Sequence, residues 1–429
     1  MTPRSLDDWL AYIPAQHPST IALGLDRVLP VLRRLDARPD CPVLTVAGTN
    51  GKGSVCAMLE AMLRAAGYRV GLYTSPHLVH YNERVRLDGR EASDEQLCEA
   101  FAAVEQARGT TPLTYFEFGT LAAAWLFARS GLDALVLEVG LGGRLDAVNA
   151  IDADCAVLTS IGIDHVEYLG ATRESIGREK AGIFRGGRPA VIADASPPAS
   201  VLEHAVAVGA QVFLIGRDFG YASENGAWRY WGQGGVRSGL AHPALRGAVQ
   251  LRNAAAALCA LGALRDRVPV GMQAVREGLA RVALPGRFQT LPGRPQVVLD
   301  VAHNPEAART LAANLGAGGF APHTIAVLGM MRDKDIAAVV REVAPRVTRW
   351  HLAGLPGPRG CTSAELAAIL RAAGAAGEAS EHASPAEAFV AARECAHRDD
   401  KIIVFGSFVT VGNVMAYLEA ERGGAGGRG

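Results

Sequence analysis

One stretch of the chain, Gly48-Thr49-Asn50-Gly51-Lys52-Gly53-Ser54, combines backbone flexibility with a fixed positive charge. Its glycines let backbone N–H groups turn inward, and ahead of a helix N-terminus such a turn cradles phosphate. Lys52 then lies over the outer phosphates of a nucleotide, while Ser54 or Thr49 approaches its Mg2+. The common phosphate-loop pattern wants Ser or Thr directly after the lysine and a glycine where Val46 stands; here Gly53 follows Lys52. The context supplies what the pattern lacks. Val43 to Ala47 is an apolar run that reads as a buried strand, and Val55 to Ala66 carries apolar residues at helical spacing. The alternative is a plain glycine turn.

Four polar clusters fall at the C-terminal ends of predicted strands, where open parallel sheets build their sites. They are Thr74-Ser75-Pro76-His77, the carboxylate Glu138, Gly162-Ile163-Asp164-His165 and Glu179-Lys180-Ala181-Gly182. A carboxylate inside an apolar strand is costly unless paired or metal-bound. The hydroxyl of Ser75, the carboxylate of Glu138 and the imidazole of His165 fit a divalent cation that also holds phosphate oxygens. Plainer readings stand beside these. Glu138 pairs with Arg144 or Lys180, Lys180 pairs with Glu138 or Glu179, His165 is a core histidine, and Ser75 is a cap or turn residue. Further along, Asp300-Val301-Ala302-His303-Asn304-Pro305 ends another apolar run. Asp300 caps the next helix or hydrogen-bonds a ribose. Arg287, in a Pro-Gly-Arg turn, can lie over phosphates. Asn253 reads an adenine edge or simply starts a helix.

Short apolar runs alternating with Ala/Leu-rich helical stretches must position these groups. Candidate strands are 43–47, 70–74, 134–139, 155–161, 189–193 and 212–215, then 296–301, 324–328, 350–353 and 402–405. Most are continuously apolar, as expected of strands covered on both faces. The pattern predicts an α/β protein: an N-terminal P-loop-type, doubly wound, mainly parallel sheet domain and a smaller C-terminal α/β (Rossmann-like) domain. The domains are set at 1–287 and 288–429. Residues 216–246, rich in Gly, Trp and Tyr, suggest a small antiparallel excursion, and 251–265 a helix. The last residues, 422–429, have no core-forming side chains and are expected to be disordered.

Composition narrows the function. At 49% hydrophobic and 20% charged, the 429 residues can build a large core. Lys plus Arg equals Asp plus Glu at 43 each, so no basic excess calls for nucleic acid. Seven scattered cysteines without a CxxC pair argue against a zinc cluster and for a reducing compartment. No apolar N-terminal segment or membrane-length run is seen, so a cytoplasmic protein is expected, with no membrane partner.

In order along residues 20–413, the motifs resemble the folylpolyglutamate synthase family of the Mur ligase superfamily. They are Gly-Thr-Asn-Gly-Lys-Gly-Ser, Thr-Ser-Pro-His, Gly-Ile-Asp-His, Glu-Lys-Ala-Gly-Ile-Phe, Pro-Gly-Arg and Asp-Val-Ala-His-Asn-Pro. Leu141 to Asn149 and Thr114 to Thr120 resemble the bifunctional dihydrofolate synthase/folylpolyglutamate synthases in particular. The resemblance implies ATP-dependent ligation of L-glutamate to dihydropteroate and to reduced folates through an acyl phosphate. It gives Gly48, Thr49, Asn50, Gly51, Lys52, Gly53 and Ser54 to the ATP phosphates, and Asn253, Arg287 and Asp300 to other nucleotide contacts. Ser75, Glu138 and His165 go to two Mg2+ ions. Lys180 matches a lysine carbamylated in the superfamily, which adds a metal ligand. Phe116, Thr120, Arg144 and Asp146 fall in the pteroate-holding regions, and His303 and Ser407 where glutamate sits. Lys52, Lys180, His165 and His303 are the implied catalytic set. A monovalent cation is compatible with this scheme, and the expected partners are small molecules acting on a monomer. Two other functions share parts of the pattern: a Mur-type ligase acting on a cell-wall precursor, and an ATP-dependent switch that ligates nothing.

Overall fold

The computed structural model describes residues 3–426, and side chains through Arg422. Contacts divide the chain into two compact units. The first holds residues up to Pro76, Tyr81–Ala244 and Gln250–Val282; the second holds Ala283 onward with the short segments His77–His80 and Leu245–Val249.

The first unit is built on eight strands: β1 (Val43–Ala47), β2 (Val70–Tyr73), β3 (Val85–Leu87), β4 (Arg90–Glu91), β5 (Ala134–Glu138), β6 (Cys155–Leu158), β7 (Pro189–Ile192) and β8 (Gln211–Leu214). Their order is β4-β3-β2-β5-β1-β6-β7-β8. The six from β2 to β8 in that order run parallel, and β3 and β4 form an antiparallel edge. Every residue of β1, β2, β5 and β6 is buried. Such strands need apolar side chains on both faces, which is why their sequence runs are continuous rather than alternating. An antiparallel sheet of β9 (Gly220–Glu224), β10 (Ala227–Trp231) and β11 (Arg237–Leu240) forms the expected excursion.

The second unit has β12 (Gln289–Leu291), β13 (Gln296–Asp300), β14 (Thr324–Leu328), β15 (Arg349–Ala353), β16 (Glu378–His382) and β17 (Lys401–Phe405), in the order β12-β13-β17-β14-β15-β16. All pairs but β12–β13 are parallel.

Three expectations change. The division falls at Val282/Ala283, ahead of the Pro-Gly-Arg turn. That turn is stitched to the second unit, because Val301 N–H donates to Gly286 O at 2.9 Å and Phe288 enters that unit's core. The helix bearing Asn253 starts at Val249, so Asn253 does not begin it. The final helix, Phe408–Gly426, runs through part of the stretch expected to be disordered, and 427–429 lie outside the described residues. Arg393 pairs with Glu421 at 2.7 Å near its end. Extending an anchored helix over a few glycines costs far less than nucleating one.

Candidate active site

The Gly48–Ser54 loop leaves β1 and enters a helix at Lys52–Ala65. Gly51 is the N-cap residue with φ 91°, a left-handed conformation that favours glycine. Gly48 is required by crowding as well, since a Cβ there would run into the Thr159 hydroxyl. Gly53 and Ser54 lie buried in the first helical turn. The loop is held by the chain that continues β6. Thr49 N–H donates to Ser160 O at 2.8 Å, and Asn50 N–H to Ser160 Oγ at 3.1 Å. The Thr49 hydroxyl accepts from Gly162 N–H at 3.0 Å and reaches Gly162 O at 3.2 Å, so it fastens the loop. This engagement ties the Thr49 hydroxyl to the loop's own support. The Asn253 amide lies against Gly51 and donates to Gln250 Oε1 at 2.9 Å.

Two lysines meet at one carbonyl. Lys52 Nζ donates to Gly48 O at 3.1 Å, and Lys180 Nζ donates to the same oxygen at 3.0 Å. Lys180 comes from the far end of the helix Arg173–Ala181 and is only 5% exposed. Burial, and next the Lys52 charge, pull its ammonium down to about 7. Of the two ion pairs considered for it, the one with Glu179 gives way to another: Glu179 pairs with Arg144 at 2.8 Å, on the surface.

Glu138 ends β5 and is buried; its Oε2 accepts the Ser75 N–H at 3.3 Å, which brings two candidate metal groups together. His165 is half-buried and takes a left-handed conformation, φ 52°, at the start of the short helix Val166–Leu169, so it is not a core histidine. Its backbone N–H donates to Asp164 Oδ1 at 2.8 Å. Among the described residues no three His, Cys, Asp or Glu side chains form a ready-made metal cage. The Ser75 backbone thus lies against the Glu138 carboxylate, and one buried carboxylate of this kind suits Mg2+. This ion keeps several waters and takes only one or two carboxylates, with phosphate supplying further oxygens.

Phe116 and Thr120 ride on the helix Tyr115–Arg129, which opens with a capping box between Thr114 and Glu117. Arg27 also binds the buried Glu117 carboxylate, at 2.6 Å, an anchor from far upstream. The Phe116 ring covers Gly140, and Thr120 donates to Phe116 O at 2.9 Å beside the Tyr73 hydroxyl. Asp146 turns inward. Its two oxygens accept Leu141 N–H at 2.8 Å and Val148 N–H at 3.0 Å, holding the 140s loop in shape. Burial outweighs those bonds and pushes its carboxyl up to about 7.

In the second unit Asp300 ends β13 and accepts Phe288 N–H at 2.9 Å and Ala302 N–H at 2.8 Å. The next helix, Pro305–Ala317, is capped by Asn304 instead, so Asp300 is not its cap. Burial raises the Asp300 carboxyl, and the nearby Arg287 charge opposes that. Arg287 lies over the Phe408 ring at 5.3 Å. His303 Nδ1 lies 2.8 Å from Val301 O; a carbonyl can only accept, so Nδ1 carries the proton and Nε2 of the neutral ring is the acceptor. Ser407 is buried and works locally: its Oγ accepts Thr410 N–H at 3.0 Å and touches Thr410 Oγ1 at 2.7 Å.

Sequence reasoning missed Thr159, Ser160 and Arg27. The two hydroxyls stand just ahead of Gly-Ile-Asp-His, at a strand end, and that position was the available signal. Nothing local marks Arg27.

A glycine-rich strand–loop–helix in a parallel sheet, followed along the chain by a second α/β unit, is the arrangement of an ATP-dependent ligase of the Mur type, and comparison with known proteins agrees. Residues 46–261 match the Mur ligase middle domain, and residues 286–408 match the Mur ligase glutamate ligase domain. Over 420 residues the chain is 45% identical to the dihydrofolate synthase/folylpolyglutamate synthase of Escherichia coli K12, covering 98% of this chain and 97% of that protein. The chain belongs to the dihydrofolate synthase/folylpolyglutamate synthase family. The solved E. coli structure in complex with DHPP and ADP superposes with a TM-score of 0.93 at 44% identity, over 98% of this chain and 99% of that one. A bifunctional folylpolyglutamate synthase/dihydrofolate synthase with Mn, AMPPNP and L-glutamate bound gives 0.90 at 44% identity, over 98% and 100%. Among the described residues no helix is long and apolar enough to cross a membrane.

Proposed function

We propose that the protein ligates L-glutamate to dihydropteroate and to reduced folates, using ATP and Mg2+, as a cytoplasmic monomer whose partners are these small molecules. A pteroate or folate carboxylate oxygen attacks the γ-phosphorus, ADP leaves, and an acyl phosphate results. The glutamate amine, having lost a proton, attacks the acyl carbon and phosphate departs. The protein's share is positioning and charge neutralisation. The observation that carries this reading is the convergence of Lys52 and Lys180 on Gly48 O, at the mouth of the loop. Lys52 serves the outer phosphates, Gly48 to Ser54 the cradle, and Arg287 a further phosphate contact. Asn253 serves the adenine and Asp300 the ribose.

Ser75, Glu138, His165 and a carbamylated Lys180 would hold two Mg2+ ions, which supply charge neutralisation at the phosphoryl oxygens. An amine held near 7 is neutral often enough to take up carbon dioxide. The scheme also has room for a monovalent cation. Phe116, Thr120, Arg144 and the Asp146 loop serve the pteroate. His303, through Nε2, and Ser407 serve the incoming glutamate.

Purified protein is incubated with ATP, Mg2+ and glutamate, with dihydropteroate or a reduced folate as acceptor, and products are read by mass. Addition of one glutamate to each acceptor is the expected result. Use of the folate alone would reduce the protein to a folylpolyglutamate synthase. ATP hydrolysis that ignores both acceptors would make it a switch. For Lys180→Ala, recovery of activity with acetate supports the carbamate; recovery only with an alkylamine sinks it.

A further inference from the structure

The residues after β6 do more than pass beside the phosphate loop; they grip one residue of it, Asn50, by both its C=O and its N–H. Thr159 Oγ donates to Asn50 O at 2.8 Å. Ser160 Oγ reaches the same oxygen at 3.2 Å and accepts the Asn50 N–H at 3.1 Å. Ala47 O lies 3.3 Å from the Thr159 hydroxyl, so its one proton goes to the shorter contact. Both side chains are almost fully buried, at 1% and 2% exposure, and their hydroxyls are spent on the loop backbone.

A trans peptide points its C=O and its N–H in opposite directions. Holding Asn50 O toward β6 therefore turns the N–H of the next residue, Gly51, away from β6. Gly51 is the N-cap of the helix Lys52–Ala65, with a left-handed φ of 91° that favours glycine. Two donors on one carbonyl also polarise the amide, which makes its N–H a stronger donor. We propose that Thr159 and Ser160 are positioning residues for ATP. They fix the Asn50–Gly51 peptide so that the Gly51 N–H serves a nucleotide phosphate. The proposal rests on the reading of Gly48–Ser54 as the phosphate cradle.

The test is ADP binding with Mg2+, measured by calorimetry, with steady-state kinetics beside it. Wild-type protein that fails to bind ADP would overturn the cradle reading itself. Given wild-type binding, Thr159→Val keeps the shape and removes the hydroxyl. It should weaken ADP by about tenfold, the size of one well-placed hydrogen bond. The KM for ATP should rise in proportion, while the KM for glutamate moves less than about twofold. Thr159→Ser should return ADP affinity to near the wild-type value. Unchanged affinity in Thr159→Val overturns the proposal. So does a loss that Thr159→Ser leaves unrepaired, or one in which the KM for glutamate rises as much as that for ATP. Should Thr159→Val fold poorly, Ser160→Ala carries the test: about threefold weaker ADP supports the clamp, and no change refutes it.

Discussion

The loop at 48–54 and the turn at 300–304 are both polar ends of buried parallel strands, yet they are held in opposite ways. The first is fastened from far along the chain: Thr49 and Asn50 by residues 159–162, and Gly48 O by Lys180, 132 residues away. The second is fastened by its own neighbours: Asp300 by Phe288 and Ala302, His303 by Val301, Asn304 by Ala307. The 140s loop, folded on Asp146, belongs with the second kind. A loop anchored across a sheet is as rigid as the sheet, which suits a fixed phosphate cradle. A loop anchored to itself carries its shape within a short stretch of sequence. Damage to the first should therefore appear in nucleotide chemistry, and damage to the second in local stability.

Lys52→Ala should show the largest effect. If Lys52 serves the phosphates as proposed, losing its charge should cost about 3 kcal/mol of transition-state stabilisation, a loss in kcat/KM of more than about a hundredfold. The half-buried side chain contributes little packing, so the melting temperature should hold. Near-normal ligation by a folded variant would remove Lys52 from the site and weaken the contrast.

Gly48→Ala probes the distant clamp from the loop's side. Its Cβ would meet the Thr159 hydroxyl, with Ser160 N 3.1 Å away. Overpacking of this kind costs about 2 kcal/mol. Chemical denaturation should register it, and ADP affinity should fall further than stability alone explains. Unaltered ADP binding would mean that the loop tolerates displacement from β6.

Asp146→Asn tests a self-anchored loop and has a pH signature. The folded carboxyl titrates at about 7, against 3.8 for an ordinary aspartate. Between those values the fold keeps a proton that the unfolded chain has released. The stabilisation from this group is full below about pH 4 and is lost as pH rises to 7. The melting temperature of Asp146→Asn should lack that decline when both proteins are scanned from about pH 4 to about pH 8. The amide also sets an NH2 against a backbone N–H, an added cost of about 1–2 kcal/mol. Parallel pH profiles would show that burial does not govern Asp146. In the ligation assay, Asp146→Ala should impair dihydropteroate use more than glutamate addition to a folate.

Ser407→Ala is the mildest. Removing the acceptor of Thr410 N–H at the start of the last helix should cost about 1 kcal/mol. A rise in the KM for glutamate beside that loss supports Ser407 as a glutamate contact; a loss of stability alone would leave it a local fastening and remove it from the glutamate site.

Much of the fold was readable because buried parallel strands announce themselves. β1, β5 and β6 are buried throughout, and their ends carried the polar clusters. The edges were not readable. β16, Glu-Ala-Ser-Glu-His, is polar and mostly exposed, and is held as a strand by its backbone ladder to β15. The β3–β4 hairpin is equally short on apolar pattern. At the site, residue types gave the carboxylate, imidazole, hydroxyl and lysines, but not which lysine faces which group.

By itself the sequence determined the strand–loop–helix around Gly48 to Ser54, the α/β alternation and the family. These depend on local spacing and hydrophobic period, which a linear chain displays. Only the tertiary structure decided that Lys52 and Lys180 share one carbonyl and that Glu179 takes Arg144. It also decided that Asp146 faces its own backbone and that Thr159 grips Asn50. Each of the contacts made by Lys180, Arg144 and Thr159 joins residues tens to more than a hundred positions apart, and only the order of strands in the sheet brings them within hydrogen-bond distance.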